Sequence, residues 1–375
     1  MLPLDKKIRV AVLFGGRSGE HEVSLVSASS VIKNLDKDKY EVVPVGITKQ
    51  GKWIAGPDSM ELLKSGNAPE QSNVLMPAEP THSLQSTAKE GAEGWSRGQK
   101  IDVVFPVLHG PYGEDGTVQG FLELTGLPYV GCATLASAVC MDKVMQKKVS
   151  EAEGFKQTPY IWFWSKEWKE KKDKILSELS LSYPVFVKPV NMGSSVGISK
   201  AKNREELIAA VEEAMQYDRK IIVEQAVQGA REIEVAVIGN REPKASVPGE
   251  IIPSNEFYDY DAKYVDGKTI EKVADDLTPG QIEEAQNLAI KAYKALDCEG
   301  MARADFLLGE DGVFYFNEIN TIPGFTSISM YPKLWQATGM SYSDILDELI
   351  KLAMERAAEK KELSVSYNPK EDWYA

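Results

Sequence analysis

The chain has 375 residues, 43% hydrophobic and 26% charged, which is enough for two or three hydrophobic cores and ordinary for a globular enzyme. A formal net charge of −13 argues against a nucleic-acid partner, which would want a basic stripe, but local lysines could still hold a small anion. Cys132, Cys140 and Cys298 make no C-x-x-C pair, so neither a thiolate metal site nor a disulfide framework is expected, and a reducing cytoplasm fits. The first apolar run is short and ends in glycines, and no stretch approaches the roughly 20 apolar residues of a bilayer span, so no leader or membrane partner is expected.

IRVAVLF (8–14), followed by Gly15-Gly16, is an unbroken apolar run of the kind a buried parallel strand shows before a tight turn. EVSLVSASSVIKNL has helical spacing and EVVPVGI is a second strand, so the chain opens as a βαβ unit. Residues 64–100 are polar and read as an insertion or long loop. IDVVFPVLHG (101–110) resumes the sheet, and TVQGFLELTGLPYVG supplies a helix and a strand, closing a first domain over 1–140. A second, over 141–228, holds helix MDKVMQKKVSEAEG, strand YPVFVKPV, a glycine loop, helix NREELIAAVEEAM and strand KIIVEQAV. A third, over 229–360, begins with strands REIEVAVIG and ASVPGEIIP, an aromatic stretch EFYDYDAKYVDGKT and helix TPGQIEEAQNLAIKAYKAL. It ends in the hairpin ARADFLLGEDGVFYFNEIN and an amphipathic helix over 341–361, with a tail over 361–375.

KPVNMGSSVGISK (188–200) contains Gly193-Ser194-Ser195-Val196-Gly197, the G-x-S-x-G spacing of a nucleophilic serine in α/β-hydrolases. Such a serine needs a histidine base later in the chain, whereas His21, His82 and His109 all precede Ser195. A backbone cradle for phosphate is the alternative, with Lys188 on the preceding strand beneath a glycine-rich flap; a plain connecting loop fits this segment equally well.

In the late hairpin, Arg303 and Asp305 are two apart, as are Glu318 and Asn320, so a strand presents each pair on one face. If residues 309–312 form the turn, Arg303 falls opposite Glu318 and all four side chains share that face. Asp, Glu and Asn oxygens suit Mg²⁺ held with substrate phosphates, and a surface salt-bridge ladder is the competing possibility.

These motifs in series resemble the ATP-grasp superfamily and, within it, the D-alanine–D-alanine ligases. The resemblance spans about residues 8–358 and rests on GGRSGEHEVSLVSA (15–28), HGPYGEDGTVQG (109–120), MDK (141–143), VKPVNMGSSVGISK (187–200) and VEQAVQGAREIEV (223–235), then EFYDYDAKY (256–264), RADFLL (303–308) and NEINTIPGFTSISMYP (317–332). It implies an α/β fold of three domains with ATP gripped between the central and C-terminal ones. It also implies a cytoplasmic, homodimeric enzyme that joins two D-alanines through an acyl phosphate for cell-wall precursors, using two Mg²⁺ ions that Mn²⁺ can replace.

Residue by residue, the resemblance implies Lys143, Lys188 and Lys263 on the ATP phosphates beneath the backbone of Met192, Gly193, Ser194 and Ser195. Glu224 and Val227 would meet the adenine, Glu232 the ribose, and Asp305, Glu318 and Asn320 the metal. Arg303 and the Gly324 N–H would stabilise the tetrahedral oxyanion. Glu22, coupled to Ser194 and Tyr264, would fix the ammonium of the first D-alanine, with His109 lining that pocket; Ser329 would bind the second substrate's carboxylate beside Met330. Relatives that use D-lactate or D-serine differ around Tyr264 and Met330, and the pattern here is that of D-alanine.

Overall fold

The structure, a computed structural model, describes residues 6–68, 74–86, 99–252, 269–364 and 366. The chain opens with β1 (Ile8–Gly15), α1 (His21–Asn34) and β2 (Tyr40–Ile47), the two strands parallel, and β3 (Trp53–Ala55) then turns back along β2. α2 (Ser59–Ser65) follows. The polar stretch expected as an insertion contributes a small antiparallel ribbon of β4 (Val74–Leu75), β5 (Ser83–Ser86) and β6 (Gln99–Lys100). β7 (Val103–Val107) runs parallel to β1 and completes the order β3-β2-β1-β7. β1 is apolar throughout because both of its faces are covered: Val10, Val12 and Phe14 enter one core, Ala11 and Leu13 another.

α3 (Thr117–Thr125) and α4 (Thr134–Met141) lead into α5 (Lys143–Ala152). A second sheet has the order β10-β9-β11-β8 and is antiparallel, from β8 (Tyr160–Trp164), β9 (Val185–Pro189), β10 (Ser199–Ala201) and β11 (Lys220–Gln225). Val185, Val187, Ile221 and Val223 turn one face of it into a core with α6 (Ser165–Glu178) and α7 (Arg204–Ala214). By the two-residue period of a strand, Lys188 and Glu224 point out of the other face.

The third sheet runs β15-β14-β12-β16-β17, with β13 (Lys244–Ala245) on β12. Its strands are β12 (Arg231–Gly239), β14 (Gly249–Ile252), β15 (Ile270–Val273), β16 (Gly300–Leu308) and β17 (Phe314–Asn320). α8 (Pro279–Ala295) covers one face through Ala285, Ala289, Ala292 and Tyr293. The opposite face changes character along the strands. β12 presents Glu232 and Glu234, then Ala236 and Ile238, while β16 presents Met301, then Arg303 and Asp305. The apolar half is buried in one core with α9 (Met330–Ala337), α10 (Tyr342–Lys361) and the first sheet. The polar half lines a cavity shared with the second sheet.

The β16–β17 register corrects the expected pairing: Arg303 lies opposite Asn320, and Asp305 opposite Glu318. Leu308 pairs with Phe314, so the turn spans residues 309–313, one more than expected, which alone would send Glu318 to the apolar face. A bulge beside Asp305 and Phe306 inserts a second extra residue and restores Glu318 to the side of Asp305. The expected grouping of the four polar side chains on one face therefore survives a wrong register.

Candidate active site

MDK acquires a local explanation. Asp142 caps α5, accepting from the N–H groups of Val144 and Met145 at 3.0 and 2.9 Å, and it is held by Lys220 at 2.8 Å. That cap starts the helix at Lys143, whose Nζ donates to the Met192 carbonyl at 3.1 Å and pairs with Glu318 at 3.0 Å. One residue therefore ties the flap to the hairpin. Lys188 reaches Glu224 at 2.8 Å and Asn317 at 3.5 Å.

These groups line a cavity between the second and third sheets, together with Met192, Gly193, Ser194, Ser195, Glu232, Arg303, Asp305 and Asn320. Gln225 and Ala226 line it as well, while Val227 lies just beyond, its side chain turned toward Gly309. Ser194 and Ser195 both occupy the left-handed region, at φ 49° and 58°, a conformation that non-glycine residues hold only under constraint. No histidine lies among the residues lining this cavity, so Ser195 has no histidine base in it.

A second cavity, of about 570 Å³, lies behind the first and shares Glu114, Gly193, Ser194, Glu234, Arg303, Glu318 and Asn320 with it. Its far wall holds His109, Gly324, Ser329 and Met330. The His109 ring is buried, which lowers its pKa and favours neutral imidazole, and its Nε2 lies 3.2 Å from the Ser27 hydroxyl. Ser329 precedes α9; its Oγ accepts from the Thr326 N–H at 3.1 Å, and a Cβ at Gly324 would come within 2.7 Å of it. A side chain at 324 would have to push that hydroxyl aside.

The assignment of Glu22 needs correction. Its carboxylate stands at the cavity rim, 64% exposed, in an ion pair with Lys49 at 2.6 Å that lowers its pKa. Glu20, buried at 7%, accepts the Ser194 hydroxyl hydrogen bond instead. Glu20 is the N-cap residue of α1 and Glu22 lies in its first turn, so the two carboxylates leave the helix start in different directions, Glu20 toward the Ser194 loop and Glu22 toward Lys49. Helical spacing was the available signal: His21, Ser24, Leu25 and Ala28 form the buried stripe of α1, while Val26 continues the exposed side of Glu22. Lys263 and Tyr264 lie outside the described residues.

Glu114, given no role from sequence, is half-buried at the wall of both cavities beside Glu20 and accepts the Gly110 N–H at 2.9 Å. Burial, then the neighbouring Glu20 charge, push its pKa up to about 8 from 4.5. A carboxyl whose folded pKa is raised contributes stability that is fully present at low pH and lost as pH rises through the folded value. The protein without substrates is therefore expected to lose several degrees of thermal midpoint between about pH 5 and pH 8 and little more above that, and Glu114→Gln to lose distinctly less. Parallel melting profiles for the two proteins would remove this account of Glu114.

Asp305, Glu318 and Asn320 fit a hard divalent cation by donor type, since all three offer oxygen. Within the site, Arg303 grips Asp305 at 2.8 and 2.7 Å, Asn320 Nδ2 donates to Asp305 at 2.8 Å, and Lys143 neutralises Glu318. Among the described residues no three acidic, histidine or cysteine side chains gather closely enough to cage a metal alone. A cation here would need oxygens from a substrate, as Mg²⁺ sites commonly do.

Residues 9–132 match the family model for the D-ala D-ala ligase N-terminus, and residues 149–351 the model for the D-ala D-ala ligase C-terminus. The chain is 49% identical over 366 residues to the D-alanine–D-alanine ligase of Natranaerobius thermophilus, covering 97% of this chain and 99% of that one. It is 52% identical over 361 residues to that of a Thermoanaerobacter species, covering 95% and 99%. Among solved structures, the D-alanine-D-alanine ligase from Coxiella burnetii superposes with a TM-score of 0.81 at 37% identity, covering 95% of this chain and 96% of that one. The VanG D-Ala:D-Ser ligase from Enterococcus faecalis does so with the same TM-score and identity, covering 93% and 100%. The fold is that of an ATP-grasp enzyme, mixed α/β with a cavity between two antiparallel sheets. The chain belongs to the D-alanine–D-alanine ligase family.

Proposed function

We propose that this enzyme joins two molecules of D-alanine at the expense of ATP, making D-alanyl-D-alanine for peptidoglycan precursors. The observation that carries the proposal is the common wall of the two cavities: Arg303, Glu318 and Asn320 face both, so a phosphoryl donor in one can meet a carboxylate in the other. A carboxylate is a poor electrophile. Phosphorylating its oxygen gives an acyl phosphate and ADP; the neutral amine of the second D-alanine then attacks, phosphate leaves and the amine proton is lost. Positioning and charge neutralisation are what this chemistry asks of a protein.

In this reading the chain is organised as domains 1–140, 141–228 and 229–360, supported by the three larger sheets. Lys143, Lys188 and Lys263 neutralise phosphates beneath Met192–Ser195. Glu224 with the Val227 backbone takes the adenine and Glu232 the ribose. Asp305, Glu318 and Asn320 would hold Mg²⁺, or Mn²⁺ in its place, which when bound offsets phosphate charge. Glu20, in place of Glu22, fixes the first ammonium with Ser194 and Tyr264, and neutral His109 lines that end. Arg303 and the Gly324 N–H receive the developing oxyanion, and Ser329 the second carboxylate beside Met330.

Superposition by itself does not choose the second substrate, because a D-Ala:D-Ser ligase superposes as well as a D-alanine ligase does. Met330 favours D-alanine: it is buried, lines the cavity and brings no charge to the place where a neutral amine must attack. The test is phosphate release with ATP and Mg²⁺ across D- and L-amino acids and D-lactate, with products separated. D-alanine-dependent release giving mainly the D,D-dipeptide is expected. Predominant depsipeptide would reverse the substrate choice, and the lack of any D-alanine-dependent release would overturn the function.

A further inference from the structure

Lys147 has no place in the chemistry above, yet its side chain is 1% exposed, which for a lysine demands a specific partner. It lies one helical turn after Lys143 on α5 and so projects to the same side. Its Nζ is 3.5 Å from Glu224 Oε1 and 5.4 Å from the centre of the Tyr160 ring. Glu224, itself 6% exposed, therefore sits between two cations, Lys147 at one oxygen and Lys188 at the other. Burial works against the Glu224 charge, but Lys147, Lys188 and the more distant Lys143 outweigh it and bring the carboxyl below its usual pKa, while burial lowers the pKa of Lys147 itself against the pull of Glu224.

The two lysines are not equivalent. Lys188 is less deeply buried and also reaches toward Asn317 at the hairpin, so on the proposed function it is drawn to nucleotide phosphates. Lys147 has no such exit. Beside Glu224 the cavity is lined by Phe186, Ile198 and Leu307, an apolar slot suited to a planar base. We infer that Lys147 is a positioning residue for base selection: it keeps Glu224 ionised after Lys188 turns to the phosphates, so that Glu224 only accepts hydrogen bonds and selects a base with an exocyclic amine. A buried carboxylate with no remaining cation takes up a proton, becomes a donor, and tolerates an exocyclic carbonyl instead.

This inference rests on the proposed nucleotide site, and direct binding separates it from the ligase chemistry. Calorimetric titration with ADP and with IDP, in Mg²⁺ and without D-alanine, compares an amino purine with an oxo purine. Lys147→Met is expected to shrink the ADP-over-IDP preference by about 10-fold, mainly through weaker ADP binding. Lys147→Gln is expected to act in the same direction, and serves if the Met variant does not fold. In a Glu224→Gln background, where no charge remains to be preserved, Lys147→Met is expected to change the preference by less than about 2-fold. An unchanged preference in the Lys147 variants, equal weakening of both nucleotides, or an effect of Lys147→Met as large in the Glu224→Gln background as in wild type would each overturn the role. Failure of wild-type protein to bind ADP would overturn the nucleotide site itself, and this inference with it.

Discussion

Glu318→Gln is expected to reduce D-alanine-dependent phosphate release by at least about 10³-fold at saturating ATP and Mg²⁺, with a modest loss of thermal stability because Lys143 loses its partner. Glu318 pairs with Asp305 across the hairpin, meets Lys143 at 3.0 Å and borders both cavities. Glutamine preserves the volume and one oxygen, so the hairpin should hold. The substitution removes the charge that a hard cation and the Lys143 ammonium both need. Under the proposed chemistry, substrate binding at the far wall survives while phosphoryl transfer stops. Wild-type turnover in this variant would remove the metal assignment from the hairpin and leave the salt-bridge ladder as its explanation.

Arg303→Met should damage stability and turnover together. The guanidinium holds Asp305 through two hydrogen bonds at 2.8 and 2.7 Å and Glu234 at 3.1 Å, in a site where burial alone would oppose its charge. Removing it strands two buried carboxylates, for which a loss of about 3–5 kcal/mol is expected. Turnover should fall by a further 10²–10³-fold, roughly, through the missing oxyanion donor. Arg303→Lys separates the two effects: it restores a charge but not the planar fork, so urea unfolding should recover most of the stability while kcat stays low. A lysine variant with wild-type kcat would mean that Arg303 serves only to hold the acidic pair.

Much of the fold could be anticipated because local periodicity reports burial. β1 reads as an unbroken apolar run because both of its faces are covered, and α8 and α10 carry their capping residues at Thr278 and Ser341. α6 and β8 were harder to anticipate: α6 is mostly charged and kinks at Lys171, while β8 is an aromatic run with no clean alternation. The ribbon of β4, β5 and β6 escaped because each strand is very short and sits in polar sequence. The hairpin was half legible. Alternation identified its polar face, but a bulge leaves no mark in the residues themselves, so the register was wrong by two while the facing set was right.

The chemistry of the site was thus written in residue types: hard oxygens on one ribbon, lysines beneath a glycine-rich loop, and no histidine placed to activate a serine. Which neighbour carries each role was a matter of packing. Glu20 and Glu22 offer the same carboxylate two positions apart, and the choice depends on how α1 lies against a loop 174 residues away. Lys147 looks like any helical lysine until β11 brings Glu224 to it. Residue type and spacing act through the covalent chain and are present before folding, whereas the burial that selects one carboxylate, or traps one lysine, arises only when distant segments exclude water together.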